Sequence, residues 1–526
     1  MKNQNMNDWL QTAVFYEIYP QSFKDSNGDG IGDLNGIIEK LDYIKDLGCN
    51  ALWLNPCFVS PFMDAGYDVA DYMRIAPRYG TNEDMKRLCE EVHRRGMHIL
   101  LDLVPGHTSI EHDWFRESMK AGRNEFTDRY IWNTNVWSDF KDVSGIAGCL
   151  RGISPRNGCC AVNFFSSQPA LNYGFANPSA DWQLAPDSEA AIATREAMKE
   201  VMRFWLSLGC DGFRVDMAGS LVKNDPDSAE TIKLWQDFRA FLDEEYPAAV
   251  LVSEWGEPDK SLQGGFHMDF LLHFGPSHYL DLFRVEEPFF SRRGKGDISE
   301  FITTYMKNYC LTEGKGLICI PSGNHDMPRI AWKLDEKELK IAFAFLLSMP
   351  GVPFIYYGDE IGMHYLENLV SVEGGYDRTG ARTPMQWNGG KNCGFSEADK
   401  DKLYICQDED ESRPDAEAQI QDPDSLWHEV RRLTALRKEH PALLAFGGFS
   451  VIYAEKNKYP FIYQRTAETE TVWVVLNPSD REITLEKEDI TQIPEDAEAF
   501  YHIHESAVYH SGRLCVPAQS ATFFIR

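Results

Sequence analysis

The chain has 526 residues, 43% of them hydrophobic and 13% aromatic, with 81 acidic against 52 basic side chains and a formal net charge of −29. A chain of this size buries more than one core and divides into two or three domains. So acidic a balance repels phosphate backbones and anionic lipid headgroups, which argues against nucleic acid and membrane surfaces as partners and favours a neutral polyol, bound through hydrogen bonds and aromatic faces.

The opening stretch, MKNQNMNDWLQTAVFYEIYP, lacks the basic start and unbroken apolar run of a signal peptide. No later segment reaches the length of a membrane span, so the expected location is cytoplasmic. The twelve cysteines are scattered, several inside expected strands or helices (Cys89, Cys210, Cys319), and read as reduced thiols. Cys149, Cys159 and Cys160 lack the paired spacing of a metal site.

Eight short β-rich runs alternate with amphipathic helices. They are AVFYEIYP from Ala13, ALWLNP from Ala51, HILLDLVP from His98, GFRVDM from Gly212, VLVSEW from Val250, HMDFLL from His267, GLICIPSGNHD from Gly316 and GVPFIYYGDE from Gly351. The alternation predicts a closed parallel (β/α)8 barrel. Among the helices, Thr81 and Asp84 form a capping-box signature ahead of Met85, Leu88, Cys89 and Val92 on one face, and Val201, Phe204, Trp205 and Leu208 repeat that spacing before the fourth strand. Both stripes are expected in the core.

Between the third strand and the helix before the fourth, a long stretch rich in Gly, Asn, Ser and Trp predicts an inserted subdomain over residues 106–167, dividing the barrel into residues 1–105 and 168–445. After the helix that begins at Ser425, alternating runs such as FSVIYAE and TVWVVLN predict a separate antiparallel β domain over residues 446–526.

Catalytic groups of such a barrel project from the C-terminal ends of its strands. Asp216 is placed at the end of the fourth strand, Glu254 at the end of the fifth and Asp326 at the end of the seventh, so three carboxyls face one pocket. Glycoside cleavage with retention needs a carboxylate nucleophile and a proton-donating carboxyl about 5 to 5.5 Å apart, which neighbouring strands supply. Arg214, two residues before Asp216, points to the same face and is expected to keep Asp216 ionised. Shielding by Trp255 is expected to hold a proton on Glu254.

Four of these segments, DLVPGHTS, GFRVDM, VSEW and SGNHD, resemble in order and spacing the signature regions of the α-amylase superfamily. The resemblance implies Asp216 as nucleophile, Glu254 as acid/base, Asp326 as the residue that orients the sugar, His107 and His325 as ligands of its hydroxyls, and Asp102 as a support for Arg214. DAGYDVADY, QPALN and ARTPMQW are similar to the oligo-1,6-glucosidase branch, which mostly trims chain ends. That likeness implies Tyr67 stacked on the innermost sugar ring, with Asp68 and Arg382 clamping a terminal glucose.

Two of the departures from the family pattern bear on a metal site. Gly106 stands where most members carry an asparagine that helps to bind an interdomain calcium, and Ala170 replaces a common acid, which together weaken that site. Met217 is neither the valine nor the threonine associated with linkage preference, so linkage stays open. A second metal loop is expected from Asp25, Asn27, Asp29, the Ile31 carbonyl and Asp33, closely spaced oxygen donors suited to a structural Ca2+; position twelve, where an EF-hand has glutamate, is Gly36. The expected activity is exo-acting α-glucosidase action on short maltose- or isomaltose-type oligosaccharides. The rival readings are transfer or isomerisation of sucrose, trehalose or maltose, endo-acting hydrolysis, and a non-catalytic scaffold, though a scaffold has no need of three retained carboxyls.

Overall fold

The computed structural model describes residues 8–312, 314–374 and 376–526. Eight parallel strands form the central sheet: β1 (Phe15–Ile18), β2 (Ala51–Leu54), β3 (His98–Leu103), β4 (Gly212–Val215), β5 (Val250–Ser253), β6 (Met268–Phe270), β7 (Leu317–Cys319) and β8 (Phe354–Tyr356). Each lies inside one of the eight β-rich runs. The neighbour order is β7-β6-β5-β4-β3-β2-β1-β8, and a parallel bridge between Pro321 and Phe354 joins the two ends into a ring. Every residue of β1, β2, β4 and β5 is buried, as strands packed on both faces must be, and this explains their nearly continuous apolar composition.

The helix Asn82–Arg94 starts at the expected capping box, with Thr81 and Asp84 satisfying each other's backbone amides, and it buries Met85, Leu88, Cys89 and Val92. The helix Glu189–Leu208 buries Val201 and Trp205 as expected. Phe204 and Leu208 are only half-buried there, because Met198 and Met202 occupy the face turned inward.

After β3 the chain leaves the barrel at Gly106 to build the insert, with a short helix, Asp113–Ser118, and a hairpin of Gly148–Arg151 with Cys159–Val162. Its small core joins Ile131, Phe140, Cys159 and Ala161 to Ala170 and Phe175. This core runs beyond residue 167 because the segment around Ala170 bridges back to His107, Tyr130 and Val162.

The C-terminal region holds two antiparallel sheets, one of five strands and one of three. Along the strand Thr471–Asn477, Val472, Val474 and Leu476 join the barrel's core, while Trp473 and Val475 pack with Leu485, Leu514 and Val516 of the smaller sheet. Buried Arg465 stitches this region to the barrel, donating to the carbonyls of Ser348 and Leu444 as well as Gly448, while within the barrel Arg437 donates to the neighbouring carbonyls of Leu347, Met349 and Gly351. None of the twelve cysteines is disulfide-bonded. Among the described residues no helix is long and apolar enough to cross a membrane.

Candidate active site

A cavity of about 570 Å³ opens at the C-terminal ends of the strands, lined by Asp64, Tyr67, His107, Asp216, Glu254, Asp326 and Arg378, with Phe164, Met217, Trp255 and Phe274 also on its wall. Its floor is set by strand register. Asp102 on β3 lies opposite Arg214 on β4, and Asp216 follows two residues later on the same face. The Arg214 guanidinium, 1% exposed, reaches Asp102 Oδ1 at 3.0 Å and Asp216 Oδ1 at 3.1 Å through Nη1, and Glu254 Oε1 at 2.8 Å through Nη2. One cation therefore holds both strand-end carboxyls and a third behind them. Asp102 also accepts from Trp53 Nε1 and the Tyr67 hydroxyl, and burial lifts it to about 6 despite Arg214.

Arg214 does not by itself keep Asp216 ionised. Burial and the neighbouring Glu254 carboxylate push Asp216 well above the usual carboxylate range, against the pull of Arg214. The Met217 backbone closes the arrangement: its amide donates to Glu254 Oε2 at 3.1 Å from a left-handed conformation, φ 44°, that a side chain of this size adopts at a cost of roughly 1 kcal/mol or more. Two residues on, a Cβ at Gly219 would lie 2.5 Å from the Trp255 ring, so only glycine lets that indole line the wall.

Asp326 lies seven residues past the end of β7, on a loop, and not at the strand terminus expected for it, because Asn324 turns the chain by accepting the Asp326 amide. Burial alone would raise its carboxyl, but His325, Arg378 and Arg382 outweigh burial and hold it well below the usual range. Tyr67 lies between cavity and core, its ring stacked on His325 with centroids 5.3 Å apart. His325 Nδ1 is 2.9 Å from Glu17 Oε1, and its buried Nε2 faces the Asp326 carboxylate at 3.5 Å without a hydrogen bond among the described residues. His107 differs: burial lowers it to about 4, and both ring nitrogens are engaged, Nδ1 with Asn163 and Nε2 with the Tyr67 carbonyl. A substrate hydroxyl reaches it only by displacing one of those partners.

The clamp expectation needs correcting. Asp68 is fully buried away from the cavity and accepts from the Ser60 hydroxyl and the amides of Met63 and Asp64. Asp64, at the head of the same motif, takes its place, with Oδ1 on Arg378 at 2.9 Å and Oδ2 on Gln168 at 2.7 Å. Arg382 likewise stands behind the cavity wall, 2% exposed, and reaches Asp326 from the rear, whereas Arg378 lines the cavity and bridges Asp64 to Asp326.

Beside Gly106, at the weakened interdomain calcium site, stands the buried ammonium of Lys223, donating to Asn163 Oδ1 at 3.0 Å and to the Ser220 carbonyl. A Cβ at Gly106 would lie 2.7 Å from the Asn163 amide that completes this arrangement. Burial drops Lys223 to about 7. In the Asp25 loop, Asp25 accepts the amides of Asn27, Gly28 and Gly30, and Asp33 accepts those of Ser26 and Gly36. Among the described residues no group of three or more His, Cys, Asp or Glu side chains is placed to hold a metal, so calcium there rests on the donor types and their spacing.

Residues 17–445 match the α-amylase catalytic-domain family. The chain belongs to the α-amylase family of glycoside hydrolases. It is 34% identical to the trehalose synthase/amylase TreS of Mycolicibacterium smegmatis, over 84% of this chain and 78% of that one. It is 31% identical to the oligo-1,6-glucosidase of Parageobacillus thermoglucosidasius, over 90% and 91%. Among solved structures, the trehalulose synthase MutB of Pseudomonas mesoacidophila MX-45 superposes with a TM-score of 0.80 at 26% identity, over 99% of this chain and 100% of that one.

Proposed function

We propose that this member of the α-amylase family is a retaining α-glucosidase that releases glucose from the ends of short maltose- or isomaltose-type oligosaccharides. The observation that carries the reading is the pair of carboxyls, Asp216 and Glu254, held on one buried guanidinium in a cavity whose far wall is crossed by the Asp64–Arg378–Asp326 ion pairs. Such a wall favours a substrate's end over its middle. In the mechanism, Asp216 attacks the anomeric carbon while Glu254 passes its proton to the departing oxygen, giving a glucosyl ester on Asp216. Glu254 then takes a proton from the incoming water as its oxygen displaces Asp216. The strongly ionised Asp326 holds the sugar's hydroxyls and offsets the positive charge of the transition state. Unpaired thiols support a reducing, cytoplasmic setting.

A second reading is transfer of the glucosyl group to a sugar in place of water. It is favoured by the apolar residues on the cavity wall, Phe164, Met217 and Phe274, which suit retention of the departing sugar, and by the likeness to a trehalose synthase and a trehalulose synthase. Incubation with maltose, isomaltose, sucrose, trehalose, maltotetraose and starch, with every product identified, tests both. Glucose from the small substrates is expected; new disaccharides outrunning glucose would replace hydrolysis by transfer, and internal fragments of starch without glucose would overturn the exo-acting reading.

A calcium ion held by Asp25, Asn27, Asp29, the Ile31 carbonyl and Asp33 belongs to the same proposal. Hard oxygen donors at this spacing suit it, and its role would be to stiffen the loop after β1. Chelation is then expected to lower the melting temperature by about 5 °C, restored by added Ca2+. An unchanged melting curve would leave the loop as a hydrogen-bonded turn.

A further inference from the structure

The stretch from Glu367 to Gly374 is mostly exposed, with Val370 85% accessible, yet it sends one side chain, Glu373, into the interior, where it is 6% exposed. There the carboxylate accepts from the Tyr19 hydroxyl, from Gln21 Nε2 and, at 2.8 Å, from Arg382 Nη1. The rest of the Arg382 guanidinium is committed as well: Nε donates to the His325 carbonyl at 2.8 Å and Nη2 to Asp326 Oδ1 at 2.9 Å. A planar guanidinium with each edge assigned cannot rotate, so Asp326 meets one donor from Arg382, in a fixed direction, and one from Arg378.

We propose that Glu373 is a positioning residue for Asp326, acting through Arg382. Without the Glu373 charge, no carboxylate among the described residues is bonded to Arg382 on the side away from Asp326. Arg382 is then free to turn both Nη groups onto Asp326 and draw it back from the sugar. A residue that served only to tether its own loop would leave the third carboxyl untouched. The inference rests on the role given to Asp326 in the proposed mechanism.

The test uses the full-length chain with Glu373→Gln, Asp326→Asn and the double variant, measured by turnover of p-nitrophenyl α-D-glucoside and by calorimetric binding of deoxynojirimycin, a cationic glucose mimic. Glu373→Gln is expected to lower kcat about tenfold or more with KM changed by no more than about threefold, and to weaken deoxynojirimycin by a similar factor. In the Asp326→Asn background it should cost nothing further, because the path from Glu373 to the sugar is already cut. Glu373→Asp keeps the charge on a shorter arm and should recover part of the loss. If the glutamine variant does not fold, the aspartate variant decides the case by the same criterion of vanishing in the Asp326→Asn background. A Glu373→Gln enzyme with wild-type kcat, or losses that multiply with those of Asp326→Asn, would overturn the inference while leaving the proposed function standing. Should the wild type fail to turn over the chromogenic glucoside, the proposed function falls, and the calorimetric cycle still decides Glu373.

Discussion

Asp216→Asn is expected to lower turnover of every α-glucoside by about 10⁴-fold or more, since no covalent glucosyl intermediate can form on an amide. The substitution preserves shape, and Arg214 keeps two carboxyl partners, Asp102 and Glu254, so the fold should survive with a melting temperature close to that of the wild type. That separation of activity from stability is what makes the variant informative. Substrate binding should persist, because Asp64, Tyr67, Asp326 and Arg378 still line the cavity. A variant with wild-type turnover would remove Asp216 from the chemistry and place the nucleophile elsewhere.

Arg214 carries the second large effect, and here stability and activity fall together. Arg214→Leu leaves Asp102, Asp216 and Glu254 buried around an absent cation, which is expected to destabilise the fold by about 3–5 kcal/mol. Arg214→Lys returns the charge without the geometry: an ammonium is a single point and cannot serve Asp102, Asp216 and Glu254 through two separate nitrogens as the guanidinium does. The lysine variant is expected to regain most of the stability and to stay about a hundredfold slower than wild type. The pH dependence gives a further check. Arg214 lowers Asp216, so losing its charge moves that carboxyl higher still and shifts the acid limb of the activity profile upward. An acid limb that stays in place in Arg214→Leu, or a lysine variant as fast as wild type, would show that the shared guanidinium is not what governs the pair.

Strands and strand-end acids were legible because period and position determine them. A run such as GFRVDM places Arg214 and Asp216 on one face whatever the rest of the fold does, and the parallel order brings Glu254 beside them. The clamp was not legible, because its candidates come in pairs four residues apart. Asp64 and Asp68 belong to one motif, and what separates them is that Ser60 and two backbone amides capture Asp68, an event that depends on loop shape. Arg378 lies within one short helical turn, Tyr376–Ala381, and Arg382 directly after it, and only the seating of that turn against Asp326 decides which of them lines the cavity. Glu17, buried beneath His325, looked like an ordinary position in an apolar strand, although a charged residue amid FYEIYP was the available signal. Lys223 and Glu373 sit in stretches with no periodicity, where one buried charge leaves no trace in the pattern. Gly106 hinted at the first of these, since the missing side chain makes room for the Asn163 amide on which the Lys223 ammonium rests.

The strand Thr471–Asn477 shares one of its faces with the barrel's own core, and Arg465 feeds its donors into carbonyls at the barrel's edge. The C-terminal sheets are thus not an appendage that can be trimmed away. Cropping the chain near residue 445 to obtain a smaller catalyst would strip Val472, Val474, Leu476 and Phe523 from the packing around the helix Glu336–Ser348 and leave the carbonyl of Ser348 without its buried donor. Any minimal version of this enzyme has to keep both sheets or rebuild that surface with polar residues.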